Sequence, residues 1–103
     1  MNKINYSPLA LNDMDEIWNY ISNELLNPTA ANDTINGILD NVEKIKEHPE
    51  SGSPLYFDDI FSGYRFVMFK NYLAFYRISG SDIYVDRVLY VKRDFMKILF
   101  GNL

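Results

Sequence analysis

Ser7 to Ile45 reads SPLALNDMDEIWNYISNELLNPTAANDTINGILDNVEKI, and this stretch decides the fold. It carries one helix-start signal twice. Ser7 followed by Pro8, and Asn27 followed by Pro28, each place a capping side chain before a proline at the first helical position. After the first signal, Ala10, Met14, Ile17, Trp18, Ile21 and Leu25 recur at spacings of three and four. After the second, Ala31, Ile35, Ile38, Leu39, Val42 and Ile45 do the same. Each set is one apolar stripe along a helix of several turns. Asp13, Asp15 and Glu16 fall early in the first helix and are read as compensating its dipole. Lys44, Lys46 and His48 fall late in the second, with His48 read as capping its end before Pro49 stops it. Two long helices with a very short connection fold back as an antiparallel hairpin. Two stripes on one side of that hairpin need an apolar surface to cover.

The flanking sequence supplies that surface. Lys3-Ile4-Asn5-Tyr6 is a short strand candidate. Residues 49–63, rich in Pro, Ser, Gly and Asp, read as loop, with a short strand around Leu55-Tyr56-Phe57 and Asp58-Asp59 as solvated loop residues. Tyr64–Phe69, Tyr72–Ile78 and Ile83–Tyr90 are dense in aromatic and β-branched residues, with turns at Lys70-Asn71 and Ser79–Asp82. A meander follows, in which Phe69 pairs with Tyr72, Val67 with Ala74 and Arg65 with Tyr76. Alternation puts Phe66, Met68, Leu73 and Phe75 on one face, expected to meet the hairpin together with Ile83, Val85 and Leu89. Arg65, Val67, Phe69, Tyr72, Ala74, Tyr76, Tyr84, Asp86, Val88 and Tyr90 are expected on the other. Arg77 and Arg87 fall on the hairpin side by parity, so they must lie at the sheet's ends or be paired. Residues 93–100 form either a short terminal helix or an extended tail. The expected class is α+β, over one domain spanning residues 1–103: an N-terminal strand and a long antiparallel helical hairpin on one face of a small antiparallel sheet.

The chain has 103 residues, 48% hydrophobic and 23% charged, which is globular composition. It has no cysteine, so it has no disulfide and no thiolate nucleophile. His48 is its one histidine, which leaves no multi-histidine metal site within one chain; no metal and no cofactor is expected. No apolar run approaches a membrane span, and the first six residues are too polar for a signal peptide, so the expected address is the cytoplasm. The net charge of −4 divides unevenly. Residues 1–60 hold three bases against eleven acids, a balance of −8, and residues 61–103 hold seven bases against three acids, a balance of +4. Such asymmetry points to an anionic partner at the C-terminal half.

Arg65 among Tyr72, Tyr76, Tyr84 and Tyr90, with Lys92, Arg93 and Lys97 beyond, is the candidate binding surface. Guanidinium forks bind phosphate or carboxylate, and tyrosine offers a ring and a hydroxyl. No serine–histidine–acid spacing, glycine-rich phosphate loop or metal-ligand spacing occurs.

The sequence resembles the RelE/ParE toxins of bacterial toxin–antitoxin modules over about residues 6–98. The resemblance is carried by Ser7-Pro8-Leu9-Ala10, by Asp13–Ile21, by Asn27-Pro28-Thr29-Ala30-Ala31 and by Glu47-His48-Pro49-Glu50-Ser51-Gly52. Gly63-Tyr64-Arg65, Phe75-Tyr76-Arg77-Ile78 and Arg87–Asp94 complete it. It implies a small cytoplasmic toxin, of the kind used in plasmid stabilisation, held inactive by a cognate antitoxin.

Two target classes follow from the resemblance. RelE-like members cut messenger RNA in the ribosome, with an arginine matching Arg65 stabilising the phosphorane. Here Tyr90, with Lys92 or Arg93, would handle protons and phosphate, so the implied catalytic set is Arg65, Tyr90 and Arg93. ParE-like members block DNA gyrase. The long hairpin and the helix motifs match the ParE-like branch. Tyr90 stands where the superfamily often has histidine, and a phenol, which ordinarily titrates at about pH 10, is a poor base at neutral pH. These features direct the expectation toward gyrase, with the ribosome-bound message as the alternative and an inactive relic or plain binding module as the third reading.

Overall fold

The computed structural model describes residues 2–101; Met1, and the last two residues of the tail alternative, lie outside the described part. Strand β1 (Ile4–Tyr6) leads into helix α1 (Pro8–Asn19), which runs on through a single π turn, Tyr20–Glu24. Helix α2 (Pro28–Lys44) follows, then a 3₁₀ turn at Pro49–Ser51. Strands β2 (Ser53–Phe57), β3 (Ile60–Phe69), β4 (Tyr72–Ser79) and β5 (Asp82–Tyr90) precede the six-residue helix α3 (Phe95–Phe100).

Both helix starts form as the sequence dictates. The Ser7 hydroxyl accepts the Ala10 N–H at 3.0 Å and donates to the Asp86 carbonyl at 2.7 Å, so one side chain caps α1 and ties it to β5. The Asn27 side chain accepts the Ala30 N–H at 3.1 Å. Trp18 Nε1 donates to Asn32 Oδ1 at 2.9 Å and holds the two helices together. The stripes are buried as expected through Ala10, Met14 and Ile17 on α1, Ile21 in the π turn, Ala31, Ile38 and Val42 on α2, and Ile45 at its C-terminal end. Leu25, the expected end of the first stripe, is exposed. The π turn adds a residue to its helical turn and moves the stripe off register just before that leucine.

The sheet has five strands in the order β1-β5-β4-β3-β2. The meander register is as predicted, with Phe69 opposite Tyr72, Val67 opposite Ala74 and Arg65 opposite Tyr76. β1 adds parallel to β5, which makes the sheet mixed. The segment expected as loop is mostly strand: β2 and the start of β3 form a hairpin across Asp58-Asp59. Both aspartates have positive φ, 47° and 66°, the conformation of a two-residue type I′ turn.

The face assignment is the main correction. The hairpin packs on Val67, Phe69, Tyr72, Ala74, Tyr76, Ile83, Val85 and Val88. Phe66, Leu73, Phe75 and Leu89 lie on the opposite face beneath α3, and Met68 is exposed. Both faces of β3 and β4 are covered, so apolar content could not say which one meets the hairpin. Close packing decides it. Gly37 of α2 lies flat on the Phe69 ring, where any Cβ would come within 2.2 Å of Phe69 Cζ. β5 carries a bulge: Phe75 faces Arg87 and Tyr76 faces Val85, leaving Asp86 extra. The extra residue flips the alternation, so Val88 rather than Leu89 joins Ile83 and Val85.

Residues 95–100 are helix, not tail. Asp94 caps α3 by accepting the Lys97 N–H at 3.2 Å, and Phe95 packs on Phe75 with ring centroids 5.2 Å apart.

Candidate functional site

β1 is only three residues long, so beyond Val85 the outer edge of β5, opposite β4, has no strand beside it. Helix α1 fills that gap. The Asp13 carboxylate accepts the Val88 N–H at 2.9 Å, taking the place of a strand carbonyl, and accepts Arg87 Nε at 2.8 Å and Nη2 at 2.9 Å. This bidentate pair holds the Arg87 guanidinium even further toward its charged form than usual. Asp13 is therefore buried structure rather than a dipole-compensating surface acid, and Arg87 is paired. Parity places Arg77 and Arg87 on the hairpin side; instead their register partners are Tyr84 and Phe75, on the α3 face, and Arg87 reaches Asp13 at the outer edge of β5. Arg77 is paired too, through Asp86 at 2.9 Å, with its guanidinium 4.7 Å above the Tyr84 ring. The imidazole of His48 makes no capping bond; α2 ends at Lys44, and exposed His48 opens the 3₁₀ turn instead.

Where β5 and β4 outrun β1, a groove of about 540 Å³ opens beside α1. Its helix wall is Asp13, Glu16, Ile17 and Tyr20, with Leu25 beyond the π turn. Its sheet wall is Asn71, Tyr72, Val88 and Tyr90, with Arg93 at the exit of β5. The Arg93 backbone N–H donates to the Tyr90 carbonyl at 2.9 Å and closes the turn that follows β5. Tyr72 and Tyr90 meet edge to face, centroids 5.7 Å apart. Burial, with Tyr20 and Tyr90 adding to it, raises the Tyr72 phenol above its ordinary pKa.

The groove brings together Tyr72, Tyr90 and Arg93 from the residues singled out in the sequence. The others are elsewhere. Tyr76 is fully buried, with its hydroxyl donating to the Pro49 carbonyl and accepting the Gly52 N–H at 3.0 Å. Arg65 reinforces the same loop, with Nη1 donating to the Glu50 and Gly52 carbonyls at 3.2 and 3.3 Å and its guanidinium stacked 5.0 Å above Phe61. Arg65 lies four positions along β4's register and two strands from Tyr90, on the order of 15 Å at strand spacing. Tyr84 is on the α3 face beside Arg77. Lys92 is exposed in the turn after β5, and Lys97 is exposed on α3. Tyr20 is a groove residue that the sequence does not single out, and Glu16 and Leu25, read as a dipole-compensating acid and the end of the first stripe, line the groove instead. Tyr20 follows Ile17 by three, just past the end of α1, which places it beside the stripe, but no sequence signal marks the π turn that carries it.

The fold and the groove define a small α+β protein with an enclosed core and a tyrosine-lined cleft where α1 stands in for an edge strand. A family model described as the ParE toxin of the type II toxin–antitoxin system parDE matches residues 4–95, and the chain belongs to that family. The fold is shared with a chain from a chromosomal ParDE toxin–antitoxin system of P. aeruginosa, with TM-score 0.75 and 20% identity over 89% of this chain and 98% of that one. It is shared more loosely with a YafQ variant from E. coli, at TM-score 0.55 and 14% identity over 98% of this chain and 100% of that one. A conserved hypothetical protein from Helicobacter pylori matches at TM-score 0.53 and 19% identity, over 87% of this chain and 94% of that one. No curated protein matches the chain in sequence. No helix among the described residues is long and apolar enough to cross a membrane.

Proposed function

We propose that this toxin acts by seizing a protein, with DNA gyrase as its target and a cognate antitoxin as its inhibitor. One observation carries the choice of target class. The three residues a ribonuclease reading needs do not converge: Arg65 is spent on two loop carbonyls, while Tyr90 and Arg93 stand together in the groove on the far side of α1's contact with β5. A phosphorane needs its charge stabiliser and its proton donors around one phosphate. A supercoiling assay with purified gyrase tests the reading. Excess toxin should abolish supercoiling, and full supercoiling at excess toxin overturns it.

A ribosome-dependent endonuclease is the second reading, favoured by the pairing of Tyr90 with Arg93 in one cleft. It predicts that toxin induction leaves cut messages and that Arg65→Ala abolishes toxicity while the protein stays folded. Intact message after induction removes it. For the antitoxin, an acidic segment that folds on binding suits the basic C-terminal half. Co-expression of the neighbouring gene should restore growth, and the complex should weaken with salt.

A further inference from the structure

The groove beside α1 has a recognition chemistry of its own. Tyr72 and Tyr90, at 60° to one another, form two walls of an aromatic corner, and Tyr20, at the start of the π turn, lines the same groove. Aromatic faces attract guanidinium and ammonium groups. The chain already uses this attraction, with Arg77 over Tyr84 and Arg65 over Phe61. Among the described residues, none of its cations lies over Tyr20, Tyr72 or Tyr90, although Arg93 lines the same groove. The helix wall is the acidic side. Between Lys3 and Lys44 the sequence has no lysine or arginine. Asp13's oxygens are taken by Arg87 and Val88. Exposed Glu16, whose Oε1 accepts the Asn12 amide at 3.2 Å and whose charge also favours the Arg87 cation, keeps Oε2 for a guest. Ile17 and Leu25 add apolar surface along which the methylene stem of a long cationic side chain can lie. Arg93 at the sheet-side rim repels a second cation, so the guest's charge is directed toward α1.

We propose that this groove receives a lysine or arginine side chain from a peptide segment of a protein partner, seated against Tyr72 and Tyr90 and held by Glu16. The proposal rests on the reading that the chain works by binding proteins, but its test needs neither toxicity nor a target. The full chain is titrated by NMR with N-acetyl-arginine methylamide, its neutral isostere N-acetyl-citrulline methylamide, and N-acetyl-glutamate methylamide. The arginine probe should shift the Tyr72 and Tyr90 ring signals saturably and bind about threefold or more tightly than citrulline. Tyr90→Leu should abolish the shifts and Tyr90→Phe should keep them. Glu16→Gln, at an exposed position that leaves the fold alone, should weaken arginine binding without affecting citrulline. Equal binding of arginine and citrulline overturns the proposal. So does a preference for glutamate, which would put Arg93 in charge of the groove. Shifts outside the groove, or no shifts, overturn it as well. Active inhibition of gyrase beside a failed titration removes this proposal alone; a successful titration beside uninhibited gyrase removes the target and leaves the groove.

Discussion

The two faces of the sheet are covered by different means. The hairpin face is covered by two helices of 12 and 17 residues, each capped and each with a long apolar stripe. The α3 face is covered by six residues, too few to hold a helix without outside help. What holds α3 is aromatic contact: Phe95 on Phe75 at 5.2 Å, and Phe100 against both Tyr64 and Phe57 at 5.8 and 6.0 Å. The hairpin face also has buried polar joints, Asp13 with Arg87 and Tyr76 with the 49–52 loop, where specific bonds fix geometry. The hairpin side is thus a rigid frame for the groove, while α3 closes a greasy surface by packing alone.

Breaking the frame should have the largest effect. Asp13→Ala leaves the partly buried Arg87 guanidinium without its partner and orphans the buried Val88 N–H. The expected cost is about 3–5 kcal/mol in denaturant unfolding. Removing both partners together, as Asp13→Leu with Arg87→Met, should cost far less than Asp13→Ala alone. If the single variant loses under about 1 kcal/mol, the value of an exposed ion pair, the joint is not the keystone of the frame.

Trimming the other face should be milder and more local. Phe95→Ala removes a half-buried ring from Phe75, and about 2 kcal/mol is expected. Hydrogen exchange separates the two faces: amides of α3 should exchange much faster in this variant, while those of α1 and α2 keep their protection. Uniform loss of protection through α2 would mean that the faces unfold as one unit and that the contrast between them is false.

The same contrast explains what could be read from the sequence. Helix starts, stripes and strand register were legible because they depend on neighbours along the chain: Ser7-Pro8, Asn27-Pro28 and the Phe69–Tyr72 pairing are local facts. The faces were not legible. Parity divides β4 into Leu73 and Phe75 against Tyr72, Ala74 and Tyr76, but when both sides are covered the bulkier set has no privilege. The tyrosines went to the frame side because Tyr76 can spend its hydroxyl on the Pro49 carbonyl and the Gly52 N–H there. The Asp86 bulge and the π turn at Tyr20 each insert one residue without a sequence mark, and together they decide which side chains line the groove. Tyr90 and Arg93 are close in sequence, so their meeting was foreseeable. Glu16 and Tyr20 arrive there only through α1's replacement of a missing edge strand.

The smallest effect tests the seam where the two faces meet at the bulge. The Tyr64 hydroxyl donates to Asp86 Oδ2 at 2.8 Å, the same oxygen that pairs with Arg77. Burial, and then the bond to Asp86, push the Tyr64 phenol up from 10.0 to about 12. The fold therefore favours the protonated phenol. Its contribution is whole below the unfolded value near pH 10 and is lost as pH rises toward 12. Tyr64→Phe keeps the ring against Phe100 and removes the bond, so it should cost about 1 kcal/mol near neutral pH. The gap between the parent chain and this variant should then narrow above about pH 10. Tyr6, also raised to about 12, is common to both chains and cancels in the difference. Denaturant midpoints measured at about pH 8 and about pH 11 decide the matter. A gap that stays constant across that window would show that the hydroxyl does not bind Asp86 in solution, and that aromatic packing alone closes the α3 side up to the bulge.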